Sequence, residues 1–152
     1  VTYIGDDETL IADSYPAGTT AIVVVGEASG THEPAWGTAT LEFPAEQQNL
    51  LKKLDASGVN VVSVVLMNRA YVMTPVDAAS DAVMIVYRPG VTAGAEAVAH
   101  ALFGDCAISG KLPWQIPATM DQVMLQREDL PKDIENPLYD YCFGIEVAAF
   151  GK

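Results

Sequence analysis

The 152-residue chain is short of positive charge: eight lysines and arginines stand against twenty acidic residues, a formal net charge of −12. Nucleic-acid binding rests on basic side chains that neutralise phosphates, so this balance argues against such a partner. The acidic positions are scattered, as on a solvated surface, with no acidic tail. Histidine is scarcer still, at His32 and His100, which excludes a multi-histidine zinc site, and no metal or cofactor is expected. Glu96 and His100, four apart on a helical stretch, read as a surface contact. Two cysteines, Cys106 and Cys142, are too few to define a disulfide framework or a redox compartment. No apolar run approaches the roughly 20 residues that span a bilayer, and the opening VTYIGDDETL is acidic, unlike a secretory leader. Localisation stays open on these grounds. Phosphate-loop fingerprints are missing as well, because Gly26 and Gly30 fit neither GxGxxG nor GxxxxGK(S/T). Ser29, Ser63 and Ser109 sit in no GxSxG elbow, which leaves a serine hydrolase without support.

What the chain does have is apolar residue, half of the total, in the amount expected of one compact domain over 1–152. Continuous β-branched runs at 21–25, 59–66 and 82–87 suit strands covered on both faces, hence a parallel sheet. Between the first two, residues 45–57 place Leu50, Leu51 and Leu54 on one helical face, with Pro44 ahead and Gly58 behind. A second helix is predicted over 93–103, stopped by Gly104. LPWQIP and LYDYCFGIEVAAF read as one more strand and as a closing strand or packed tail. The fold class is α/β.

Ligands of parallel α/β sheets sit beyond the carboxyl ends of the strands. There the first strand delivers a loop, from Glu27 to about Glu42, that is long for a strand-to-helix connection. It carries Glu27, His32, Glu33 and Trp36. A carboxylic acid that protonates a departing oxygen needs a raised pKa, which a partly buried loop beside an aromatic ring can supply, so Glu27 and Glu33 are acid/base candidates as well as possible solvated glutamates. Trp36 either stacks on the apolar face of a ligand or plugs the loop, and Trp114 reads as core.

The segments AIVVVGE, LEFPAEQQNLLKKL, VNVVSVVLMNRAYVMTP, HALFGDCAISGKLPWQIP and ENPLYDYCFGI, taken together from about Thr20 to Val147, resemble the C-terminal α/β domain of family 3 glycoside hydrolases. The resemblance implies a three-layer α/β/α sandwich with a mainly parallel sheet of about six strands. It also implies a TIM-barrel partner domain that supplies the aspartate nucleophile and most of the sugar contacts. Such a barrel takes about 250 residues and has no room in this chain. On the same footing Glu33 falls nearest the acid/base position and Glu27 opens the loop, with Trp36 and His32 as substrate-binding candidates. The implied function is a share in a retaining hydrolase of β-linked glycosides, of β-glucosidase or exo-glucanase type, inactive alone and compatible with a secreted or periplasmic setting. The sequence departs from the family at Trp36, Gly37 and Thr38, where an acidic pair is usual, and at Asn68, Arg69 and Ala70, where Gly-Arg-Pro is usual. A stand-alone carbohydrate-binding or structural module that kept the fold without the chemistry is the alternative.

Overall fold

The computed structural model describes residues 8–26, 40–127 and 129–150. A short 3-10 turn at Glu8–Leu10 leads to β1 (Thr20–Gly26), α1 (Ala45–Ala56), β2 (Asn60–Leu66), α2 (Thr74–Ala78), β3 (Ala82–Val86), α3 (Thr92–Leu102) and α4 (Met120–Leu125). β1, β2 and β3 lie side by side in that order, all parallel. Each β-branched run has therefore become a strand, and the helices between them are the crossovers that parallel neighbours require. The strands end flush, Gly26 opposite Leu66 and Leu66 opposite Val86.

One face of the sheet makes the core. Val23, Val25, Val61 and Val65 point to the side where α1 brings Leu51 and Leu54 and α2 brings Val76. Leu51, Val61, Val65 and Val76 are wholly buried, each contributing about 1.5–3 kcal/mol by leaving water. Ser63 shares this face without an orphaned hydroxyl: its Oγ lies 2.7 Å from Ser80 Oγ, which in turn donates to the Val76 carbonyl at 2.7 Å. α1 starts after Pro44 and ends at Ser57, and Gly58 takes φ +77° to turn the chain into β2, a left-handed stop that favours glycine.

From residue 105 on, regular structure thins out. Ile116 bridges Tyr139 and Ile108 bridges Val147, both antiparallel and both isolated. Among the described residues the sheet thus has three strands, and LPWQIP, expected as one more strand, and the closing segment, expected as a strand or packed tail, pair through single bridges. The reason lies in side chains doing what a ladder would do. Buried Gln115 accepts from Ile134 N–H at 3.1 Å and donates to the Ile134 carbonyl at 3.2 Å and to Asp140 Oδ1 at 3.0 Å. Leu112 and Ile116 still reach the core, and Tyr139 Oη donates to Asp77 Oδ1, tying the tail to α2. Burial and that bond push the Tyr139 hydroxyl well above its ordinary pKa. Cys106 and Cys142 are both free thiols. No helix among the described residues is long and apolar enough to cross a membrane.

Candidate functional site

The flush carboxyl ends of the three strands form the edge where such sheets bind ligands. Residue 27 onward leaves β1 there, residues 67–70 leave β2, and residues 87–90 leave β3. Glu27, His32, Glu33 and Trp36 belong to the stretch 27–39, outside the described residues. What the structure places are the two stems that hold this stretch.

The outgoing stem is Gly26. Its φ is +142°, and a Cβ built on it would lie 1.9 Å from the Leu66 carbonyl oxygen, so nothing larger than glycine lets β1 run this close to β2. Gly26 N–H donates to Gln47 Oε1 at 2.7 Å, and Gln47 Nε2 donates back to the Gly26 carbonyl at 3.0 Å. A side-chain amide in the first turn of α1 thus replaces a neighbouring strand and sets the direction in which the chain departs. The returning stem is held by Val72 N–H on the Leu41 carbonyl at 2.8 Å and by the parallel bridge between Glu42 and Val72. Thr40 Oγ1 accepts from Glu42 N–H at 3.1 Å. Phe43 anchors the same stem in the core, edge-on to Tyr71 with ring centroids 6.0 Å apart.

Arginines of this cation-poor chain gather beside the stems. Arg69 Nη2 donates to Tyr71 Oη at 2.7 Å, and its guanidinium carbon lies 5.4 Å from the Tyr71 ring centroid, a cation–π arrangement. Arg88, just past β3, has φ +27°, a region that costs a side-chain-bearing residue about 1–3 kcal/mol and that clusters at functional positions. With the Asn68 amide oriented to accept, Arg88 donates to it from Nε and from Nη2, the latter at 3.0 Å. Two of the chain's three arginines therefore stand at the strand ends of a protein with net charge −12. Each guanidinium offers five N–H donors in a planar fork, suited to carboxylates and hydroxyl-rich ligands. Tyr87 packs edge-on to Trp114 with centroids 5.3 Å apart, and burial raises the Tyr87 hydroxyl pKa. Trp114 packs half-buried against the core, as expected, although its Nε1 has no hydrogen-bond partner among the described residues.

The remaining chemistry-bearing groups lie apart. His100 Nδ1 and Asp105 Oδ2 lie 2.9 Å apart in an exposed hydrogen bond. A cleft of about 560 Å³ at the end of α3 is lined by Ala97, His100, Asp105, Cys106 and Phe150, none of them at the strand ends. Among the described residues no three or more His, Cys, Asp or Glu side chains are grouped to hold a metal. Gln47 and Arg88 escaped the reading of the sequence, where Arg69 stood only as part of a departure from the family pattern. The scarcity of arginine was a usable signal for Arg88, whereas Gln47 reaches Gly26 across twenty-one positions and left none.

The comparisons with known proteins agree with this architecture. A family model described as "Glycosyl hydrolase family 3 C-terminal domain" matches residues 9–148. "Beta-glucosidase C" of Emericella nidulans is 34% identical over 118 residues, which cover 78% of this chain and 18% of that protein. "Periplasmic beta-glucosidase" of Salmonella typhimurium is 28% identical over 147 residues, covering 85% and 19%. The crystal structure of a β-glucosidase from Listeria innocua superposes with a TM-score of 0.71 at 24% identity, over 84% of this chain and 20% of that one. The chain spans about a fifth of the length of the relatives it matches.

Proposed function

The chain belongs to the glycosyl hydrolase family 3 C-terminal domain family, and on that premise we propose that it is the C-terminal α/β domain of a retaining glycoside hydrolase acting on β-linked sugars, of β-glucosidase or exo-glucanase type. Its contribution to the reaction is the 27–39 stretch. Glu33 is the general acid/base, Glu27 the second candidate for that role, and Trp36 and His32 contact the sugar. The rest of the site, including the nucleophile, comes from a TIM-barrel partner domain, so the chain by itself does not turn over glycosides. In the whole domain the sheet grows to about six strands in a three-layer α/β/α sandwich.

The observation that supports this reading best is the pair of rigid stems at the carboxyl edge, Gln47 on Gly26 and Val72 on Leu41. Catalytic groups held on fixed stems are the way a fold aims a carboxylate at a reacting bond. Glu33 donates its proton to the glycosidic oxygen as that bond breaks and the nucleophile of the partner domain bonds to the anomeric carbon. The resulting carboxylate then takes a proton from water as the water displaces the nucleophile, the two carboxyls standing about 5–5.5 Å apart. The test is Glu33→Gln in the full-length enzyme. Loss of a general acid/base is expected to cut kcat by about 10²–10⁴ on a substrate with a poor leaving group, and an unchanged rate removes Glu33 from the mechanism.

A further inference from the structure

We propose that Arg88 decides which leaving groups the enzyme accepts: its guanidinium donates hydrogen bonds to hydroxyls of the sugar released on the acid side of the cleaved bond. The inference rests on the reading of the chain as the acid/base-bearing domain of a retaining glycosidase. It starts from backbone strain. Arg88 has φ +27°, a value that glycine takes at little cost and that an L side chain opposes. Glycine is used in this very turn, since Gly90 sits two residues on at φ +89° with open space where a Cβ would be. Position 88 instead carries one of only three arginines in the chain. A residue held in such a region against its own preference is over-determined by its surroundings, and strain of this kind gathers where a side chain has a task.

Three neighbours hold the residue in place. Pro89 follows it, and a proline disfavours the right-handed helical backbone in the residue before it. Gly94, in the first turn of α3, comes so close that a Cβ there would lie 2.1 Å from the Pro89 carbonyl oxygen, so the turn cannot slide along the helix. With the Asn68 amide oriented to accept, Arg88 donates to its oxygen from both Nε and Nη2. Two bonds to one oxygen fix the plane of the guanidinium as well as its position. Turn and fork are therefore set before a ligand arrives, and less freedom is lost on binding. Arg88 is exposed.

Place and chemistry together name the ligand. In the order β1-β2-β3, two strand spacings, about 10 Å, separate the end of β3 from Gly26. Arg88 thus stands to one side of the stem from which the acid-bearing stretch departs, placed for the leaving sugar and not for the reacting atoms. The domain that carries the acid faces the leaving group, because the acid protonates the leaving oxygen. A planar fork of N–H donors suits neighbouring hydroxyl oxygens, and a net charge of −12 works against an anionic ligand in their stead. The same turn runs on to Val91, 93% exposed, an apolar side chain of the kind that meets the C–H face of a pyranose.

Two substrates compared in the full-length enzyme test the proposal. Cellobiose releases a sugar, whereas 4-nitrophenyl β-D-glucoside releases an aromatic ring with no sugar hydroxyl. Arg88→Gly is expected to raise KM for cellobiose about 10–100-fold, with kcat within about threefold of wild type and the aryl glucoside unaffected. Because the strain leaves with the side chain, the thermal midpoint holds or rises. An unchanged KM for cellobiose overturns the proposal, and a midpoint that falls alongside it shows the arginine to be a tie to Asn68 alone. Equal losses on both substrates overturn it too, since the residue then acts on the cleaved bond or on the fold. Arg88→Lys keeps the charge and the backbone but lacks the planar fork. It is expected to raise KM for cellobiose as well, and a wild-type value refutes the proposal even if the glycine variant does not fold. An enzyme that hydrolyses neither substrate ends the functional reading and this inference with it. Activity on both, indifferent to Arg88, ends this inference and leaves the functional reading standing.

Discussion

Replacing Gln47 with alanine isolates what the clamp on Gly26 contributes. The substitution removes two hydrogen bonds, at 2.7 and 3.0 Å, and leaves a backbone N–H and a C=O at a half-buried strand end. At about 0.5–1.5 kcal/mol net for each bond the loss is about 1–3 kcal/mol, with water filling part of the gap and favouring the lower half of that range. For a domain of this size that corresponds to a fall of about 2–8 °C in Tm, readable by calorimetry or circular dichroism. Gln47→Glu sharpens the test. The ionised carboxylate can still accept from Gly26 N–H but faces the Gly26 carbonyl oxygen with no proton to give. At neutral pH the glutamate variant is therefore expected to be no more stable than the alanine variant. Its deficit should shrink as the pH falls toward about 4, where the carboxyl regains its proton and its donor. A Tm within about 1 °C of wild type for Gln47→Ala, with unchanged exchange at the Gly26 amide, would refute the idea that this side chain sets the stem.

Gly26→Ala meets the Leu66 carbonyl oxygen at 1.9 Å, and relieving that contact means moving β1 from β2. A loss of about 3 kcal/mol or more is expected in urea unfolding, and a neutral result would show that the strand end is more pliable than its register implies. Tyr139 makes stability depend on alkaline pH. Its pKa is raised by burial first and by the Asp77 bond second, so its contribution is complete below the unfolded tyrosine value of about 10 and is lost as the pH climbs beyond it. Urea midpoints between about pH 8 and 11 should fall more steeply for wild type than for Tyr139→Phe, and parallel curves would refute the assignment.

Much of the α/β framework can be read in one dimension because each cue is local. Valine and isoleucine in unbroken runs favour extended backbone and burial on both faces, and 21–25, 59–66 and 82–87 became β1, β2 and β3. The leucine spacing of 45–57 settles α1 to within a residue of its end, and Gly58 and Gly104 stop their helices at φ +77° and +76°. α2 and α4 have five and six residues, too few for an apolar period to repeat, and they went unforeseen. The carboxyl-edge position of Gly26, after which the 27–39 stretch begins, was legible too, since the order of strand and helix is enough to locate the end of β1.

Tertiary structure decided everything that depends on contacts between distant segments. Which side of the sheet receives α1 and α2 is invisible in runs of valine that look alike on both faces. Only packing shows that Val23 and Val25 are core while Ile22 and Val24 meet solvent. Gln47 reads as one more polar helix residue until the fold brings it against Gly26, and Gln115 reads likewise until it spans Ile134 and Asp140. Arg88, twenty positions from Asn68 in the sequence, becomes its neighbour because β2 and β3 end at the same level. Backbone propensity and hydropathy act over a few residues and are written in the chain itself. Hydrogen-bond partners and the exposure of a face are properties of closure, and exist only once the chain has returned to the same place.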